Sequence, residues 1–277
     1  EGIEVCKAWM DQHPQELRTF ASFATGYMSM VDDHNHLALY DGDLRLVDHH
    51  GQELELFDAQ DYLDIIAEHV EPWSYLKFPY YRKVGWPMGV YRVGPLGRLN
   101  AVDGISTELA HKEWEEFRTI NGGQPVEGSL YFHYARLIED LYAAEHAREL
   151  LEDPDITSTD IRTPASIARH SGVGVLEAPR GTLLHHYTVD DDGQIVRANL
   201  IVATGHNNFA MSRAVEEVAR QYVKGSDVKE GALNRIEAAI RCYDPCLSCS
   251  THAAGRMPLK VTVYDRDLRP LRQLNKE

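Results

Sequence analysis

Apolar residues along this chain recur mostly at helical spacing, broken by a few short stretches that alternate instead. Residues 3–30, with Ile3, Trp9 and Leu17 among the spaced positions, predict a helix. Residues 36–57 predict short strands: Leu37-Ala38-Leu39-Tyr40, a turn at Asp41-Gly42, Leu44-Arg45-Leu46-Val47, a turn at His50-Gly51, then Leu54-Glu55-Leu56. Asp58 is placed as an N-cap before Tyr62, Ile65, Ile66 and Val70. Residues 71–105, rich in Gly, Pro and aromatics, predict ordered loop laid on a core. Ser129 can cap a helix that puts Tyr134, Leu137, Ile138, Leu141 and Tyr142 on one face. Residues 182–189 and 194–204 predict a hairpin turning at Asp190-Asp191-Asp192-Gly193. Helices follow at about 208–223 and 229–241, the second carrying Leu233, Ile236 and Ile240. The pattern is mainly α with small antiparallel β elements, an α+β chain with no internal repeat and no low-complexity tract.

Composition narrows the function. At 277 residues, 43% hydrophobic and 26% charged, the chain can bury a full core. Its net charge of −15 makes nucleic acid and anionic membrane surfaces poor partners. No run of about 18 apolar residues occurs and no basic-then-apolar signal opens the chain, so neither a membrane nor export is expected. Four cysteines do not make a secreted disulfide framework in a chain this long; a cytoplasmic location is expected. A start at Glu1-Gly2-Ile3 without Met is what a fragment would show.

The richest chemistry lies in Tyr243-Asp244-Pro245-Cys246-Leu247-Ser248-Cys249-Ser250-Thr251-His252. Two thiols two residues apart and an imidazole three further on can converge, and these are the donors that soft or borderline metals prefer. Spacing alone leaves several readings. The pair could be a redox dithiol, although no βαβ context surrounds it. Cys242, Cys246 and Cys249 could seat a [4Fe–4S] cluster in a radical-type enzyme. His252 could close a structural Zn-binding module. Buried thiols without any ligand role are the plainest reading.

A second segment, Glu177-Ala178-Pro179-Arg180-Gly181-Thr182-Leu183-Leu184-His185-His186, sets Arg180 on a turn directly before an apolar strand. A rigidly held guanidinium can bind anionic or diatomic ligands with its fixed fork of donors. The ordinary alternative is a surface turn whose Arg180 pairs with Glu177. A third segment, Asn199-Leu200-Ile201-Val202-Ala203-Thr204-Gly205-His206-Asn207-Asn208, reads by itself as a core strand with a polar end. His34, His36, His49 and His50 are expected at solvated turns, and one of His185 and His186 must face inward.

Taken in order, these segments resemble the large, catalytic subunit of [NiFe] hydrogenases, and most closely its bidirectional, NAD-linked cytoplasmic branch. The resemblance also runs through Gly85-Trp86-Pro87, Tyr91-Arg92-Val93-Gly94-Pro95-Leu96, Phe132-His133-Tyr134-Ala135-Arg136 and Asn234-Arg235-Ile236-Glu237-Ala238, so it covers nearly the whole chain. The family carries a further C-x-x-C pair, preceded by an acidic residue, near its N-terminus. This chain has neither, and is expected to be the C-terminal part of the subunit.

The resemblance implies a Ni-Fe(CN)2(CO) centre with Cys246 as a terminal nickel ligand and Cys249 bridging nickel and iron. It puts Arg180 and Thr204, with Pro179 beside them, where the family binds cyanide. His252 and the backbone carbonyl of Leu200 would hold Mg2+. Ala203 replaces the Pro common in that loop, as this branch tolerates. The implied reaction is reversible heterolytic cleavage of H2. Cys246 is the expected proton acceptor, because a metal-bound thiolate has a suitable pKa. Arg180, with a reference pKa above 12, is a poor base and would instead polarise hydrogen in a dry pocket, steered by Asp244. Electrons would pass to an iron–sulfur small subunit, with NAD on separate diaphorase subunits, since Gly122-Gly123 forms no dinucleotide fingerprint. Residues 1–252 would be the subunit domain. Residues 253–277 would be the tail that a maturation endopeptidase removes after His252, although Leu259-Lys260-Val261-Thr262-Val263-Tyr264 also alternates as a strand should.

Overall fold

The computed structural model describes residues 1–74, 76–162, 169–223, 225, 228–246 and 259–276. The chain opens with α1 (Gly2–Gln12) and α2 (Pro14–Thr19), then β1 (Gly26–Val31), β2 (Asp43–Val47) and β3 (Glu53–Phe57). Next come α3 (Tyr62–Ile65), β4 (Ile66–Val70), β5 (Lys77–Tyr81), β6 (Tyr91–Arg92) and α4 (Pro95–Ala101). Helices α5 (Glu108–Thr119) and α6 (Tyr131–Glu152) precede β7 (Ser171–Ala178), β8 (Gly181–Val189) and β9 (Ile195–Ile201). The short turn α7 (Ala203–His206) leads into α8 (Asn208–Tyr222) and α9 (Glu230–Cys242), and a hairpin of β10 (Leu259–Tyr264) and β11 (Pro270–Lys276) follows.

Helices form the larger core. Phe132, Tyr134, Ala135 and Ile138 of α6 pack with Leu96 and Leu99 of α4, Phe117 of α5, Ala214 and Val218 of α8, and Ile236 and Ala239 of α9. Each large apolar side chain so buried contributes about 1.5–3 kcal/mol. Tyr243, just past α9, packs on Phe132 with ring centroids 4.6 Å apart and the rings tilted by 46°. Beside this core lies a four-stranded sheet, β3-β2-β1-β6, antiparallel except for the parallel β1–β6 pairing. A second sheet, β7-β8-β9, is antiparallel throughout. Among the described residues, no helix is long and apolar enough to cross a membrane.

The mainly α architecture with small sheets agrees with the sequence pattern, and α8, α9 and the β8–β9 hairpin fall where expected. Asp190 organises that hairpin's turn by accepting from the amides of Asp192 and Gln194. Other boundaries need correction. Helix does not run to residue 30: after Thr19 the chain turns and residues 26–31 form β1, with five consecutive positions buried. A strand buried on both faces shows no alternation, so its sequence reads equally well as helix. Leu37–Tyr40 forms no strand; Leu37 makes only an isolated bridge to Val31. Asp58 does cap, accepting from the Gln60 amide, but the helix stops at Ile65 and residues 66–70 pair with β5. Residues 71–105 are largely loop as expected, but they also hold β5, β6 and the wholly buried α4. Ser129 does not cap α6 either, its hydroxyl donating to the Ala21 carbonyl at 2.7 Å.

Candidate metal centre

The β7–β8 hairpin closes through Pro179 and Arg180, with Ala178 and Gly181 paired on either side. Gly181 has φ +133°, and a Cβ there would lie 2.2 Å from Val93 Cγ2. Gly94, with φ +80°, is equally confined: its Cβ would lie 2.8 Å from the Arg180 carbonyl oxygen. Both glycines are required because two backbone turns touch here. Arg180 therefore projects from a wedged turn.

Its partner comes from the other end of the site. Helix α9 stops at Cys242, and Asp244 adopts φ +47° while its amide donates to the Arg241 carbonyl. Asp tolerates this left-handed conformation, and the following Pro245 disfavours a further helical step. Arg180 Nε donates to the Asp244 carbonyl, and Arg180 Nη2 lies 3.3 Å from Asp244 Oδ2. The turn also carries Cys246 towards α7, where its amide donates to Thr204 Oγ1 at 3.2 Å. Thr204 is buried directly behind the end of β9. Its oxygen accepts from Cys246, which leaves the hydroxyl proton for an acceptor.

Four of the expected site residues, Arg180, Thr204, Asp244 and Cys246, are thus brought together. Pro179 lies on the same turn, and Leu200 lies in β9 opposite His185. Cys249 and His252 lie outside the described residues. Two expectations need correction. Arg180 does not pair with Glu177, whose side chain is fully buried on the inner face of β7 and engaged elsewhere. Nor is Arg180 in a dry pocket within this chain, for its side chain is 38% exposed.

What holds Glu177 was missed. Arg98 of α4 donates from Nη1 to Glu177 Oε2 at 2.8 Å and to the Ala178 carbonyl at 2.9 Å. Its Nε and Nη2 grip both oxygens of Glu139 at 2.6 and 2.7 Å, and Nη2 also reaches the Pro179 carbonyl at 3.1 Å. Burial disfavours the charge on Arg98, but the Glu139 and Glu177 carboxylates outweigh it and raise the pKa above the ordinary arginine value. Burial pushes Glu177 up, while Arg98, the Thr182 hydroxyl and the Met30 amide pull it back. The available signal was Arg98 itself: a lone charge in the otherwise uncharged run Pro95-Leu96-Gly97-Arg98-Leu99-Asn100-Ala101 must find a partner if the helix is buried.

Asn207 was also missed. Its side chain makes both amide-type bonds to Val93, accepting from the amide at 3.0 Å and donating to the carbonyl at 3.2 Å. The other candidates play no part at this point. Cys242 is fully buried, donates to the Ala238 carbonyl, and has its pKa pushed up to about 12 by burial. That protonated core thiol is a poor metal ligand, which counts against a cluster built on Cys242. His49 and His50 sit exposed at a turn as expected, and His34 is exposed as well, but His36 is only partly so. His186 is partly buried between Tyr62 and Ser171, and His185 bonds Tyr187.

The arrangement defines a mixed α+β scaffold that brings a cysteine, a hydroxyl and a guanidinium from three turns to one place. The family model described as nickel-dependent hydrogenase matches residues 13–252. The NAD-reducing hydrogenase HoxS subunit beta of Cupriavidus necator is 44% identical over 268 residues, 96% of this chain and 55% of that protein. A crystal structure of an NAD+-reducing [NiFe]-hydrogenase in the H2-reduced state superposes with a TM-score of 0.85 at 42% identity, covering 90% of this chain and 55% of the other. A [NiFeSe] hydrogenase variant from Desulfovibrio vulgaris Hildenborough shares the fold, with a TM-score of 0.64 at 19% identity over 91% of this chain and 57% of its own. The chain belongs to the nickel-dependent hydrogenase family. It spans about half the length of the relatives it matches.

Proposed function

We propose that the chain is the part of a [NiFe] hydrogenase catalytic subunit that carries the C-terminal cysteines of a Ni-Fe(CN)2(CO) centre. The observation that carries this reading is the Cys246 amide bonded to Thr204 Oγ1 beside the Arg180–Asp244 pair. It joins the cysteine motif to both groups expected to face cyanide. The donor set fits such a centre. Thr204 retains a proton to donate, and the described bonds of Arg180 engage Nε and Nη2, so Nη1 is available. Ligands that no side chain could supply need donors of this kind to keep their polar ends satisfied.

When bound, the centre supplies the heterolytic, two-electron oxidation of H2. Cys246 would be a nickel ligand, and its Sγ would take the first proton. Arg180 would direct its fixed fork of donors towards the reacting gas, with Asp244 setting its orientation. Cys249 would be a further thiolate ligand of the centre, while His252 and the Leu200 carbonyl would hold Mg2+. The two electrons leave through an iron–sulfur small subunit towards diaphorase subunits and NAD, in the cytoplasm. Residues 253–277 are removed after His252 by a maturation endopeptidase. The remainder of the subunit supplies the other thiolates and dries the half-exposed surface at Arg180.

The test uses the complete subunit matured with its partners. Cys246→Ser is expected to abolish both nickel content and H2-dependent viologen reduction, whereas Cys242→Ser should keep most of each. Equal loss from the two substitutions would defeat the assignment and favour a cluster that includes Cys242.

A further inference from the structure

The five bonds of Arg98 use every N–H that a guanidinium has. Two of them end on consecutive carbonyls, Ala178 and Pro179, immediately before Arg180. The same segment of chain reaches the other donor. Asn207 grips Val93 by both polar atoms, and its own amide donates to the Thr204 carbonyl at 3.0 Å. Between the two grips, Gly94 and Gly181 press backbone against backbone with no room for a methyl group. Residues 93–98 therefore touch the Arg180 turn on one side and the Thr204 turn on the other.

We infer that Arg98 is a positioning residue, and that with the Val93–Asn207 grip it sets the separation of Arg180 and Thr204 and so the fit of the anionic diatomic ligands between them. This rests on the proposed function. Arg98 touches no reacting atom and acts through the turn that it holds. Glu139 anchors the clamp from α6, in the middle of the helical core. Lys at position 98 would keep the charge but has three N–H donors on one nitrogen, too few to hold two carboxylates and two carbonyls in a plane.

The experiment compares wild-type, Arg98→Lys, Arg180→Lys and the double variant as matured, assembled enzyme. Arg98→Lys should keep nickel and iron, displace the infrared stretching bands of the iron-bound cyanides, and lower kcat about 10²-fold with little change in KM, the scale of an ångström-level misplacement. In the Arg180→Lys background the same substitution should cost little more, because the group it positions is already gone. Bands at wild-type frequencies with kcat within a few-fold overturn the inference, as does a full multiplicative loss in the double variant. Should Arg98→Lys fail to mature, Glu139→Gln, which keeps the arginine and loosens its anchor, is measured in the same way, and unmoved bands again overturn it. Wild-type enzyme without such bands would sink the proposed function instead. The clamp would then be read from Gly181 and Thr182 amide exchange, where acceleration in Arg98→Lys supports it and unchanged exchange overturns it.

Discussion

His206 lies two residues past Thr204, its ring closed off from water and bonded through Nδ1 to the Tyr91 hydroxyl at 2.7 Å. Burial pushes its pKa down to about 3, against about 6.5 for an ordinary histidine. The unfolded chain therefore takes up this proton first as pH falls, so stability rises with pH across that window. Full stability from this group is present above about pH 6.5, and it drains towards pH 3 at up to about 1.4 kcal/mol per pH unit. In urea unfolding at pH 7 and pH 5, the wild type should lose on the order of 2 kcal/mol more than His206→Gln. Parallel losses would show that His206 is not held neutral. Single residues also show what could be read in advance. Arg180, Asp244 and Cys246 stood out because each sits in a short motif with its neighbours beside it, whereas Thr204 was singled out only through the family resemblance. Arg98 and Asn207 did not, because what gives them meaning is partners 41, 79 and 114 positions away in the chain.

Among the elements, the β7–β8 hairpin has the least freedom. Gly181 combines φ +133° with a Cβ position 2.2 Å from Val93 Cγ2 and 2.9 Å from the Gly94 amide nitrogen. Neither neighbour can retreat, since Val93 is buried and gripped by Asn207. Gly181→Ala should therefore cost at least about 1–3 kcal/mol, the usual size of a forced backbone conformation. Gly172→Ala, on the same hairpin with open space around it, should stay within about 0.5 kcal/mol of wild type. Urea midpoints of the two variants that coincide would remove the wedge from the account. Strand β7 itself was not evident in the sequence, because Gly172 and Gly174 dilute its alternation. Strand β1 was hidden for the opposite reason, a run buried on both faces. Helices α8 and α9 were legible because each keeps one wet face.

At the scale of the whole molecule, the hairpin of β10 and β11 is attached mainly by connectivity. Val261, Val263 and Leu274 pack on Val228, Ala232 and Leu233 at the start of α9, the helix that delivers the cysteine segment. The strand at 259–264 was legible from its alternation, while its partner β11 and this docking site were not, because neither leaves a periodic mark. All three docked side chains on the hairpin remain partly exposed, so each contributes at most about 1–2 kcal/mol. While the hairpin is tethered, that is enough to hold it against α9. Once the chain is cut after His252 the same contact must act between two molecules, where lost translational and rotational freedom costs about 4–15 kcal/mol. Three such contacts give at most about 3–6 kcal/mol, below most of that range, so the contact is expected to dissociate. Cleavage at that point, by the proposed endopeptidase or at an engineered protease site, should release the peptide without denaturant, and gel filtration should separate it from the rest. A peptide that co-elutes after cleavage would mean the hairpin is a permanent part of the fold and residues 253–277 are no disposable tail.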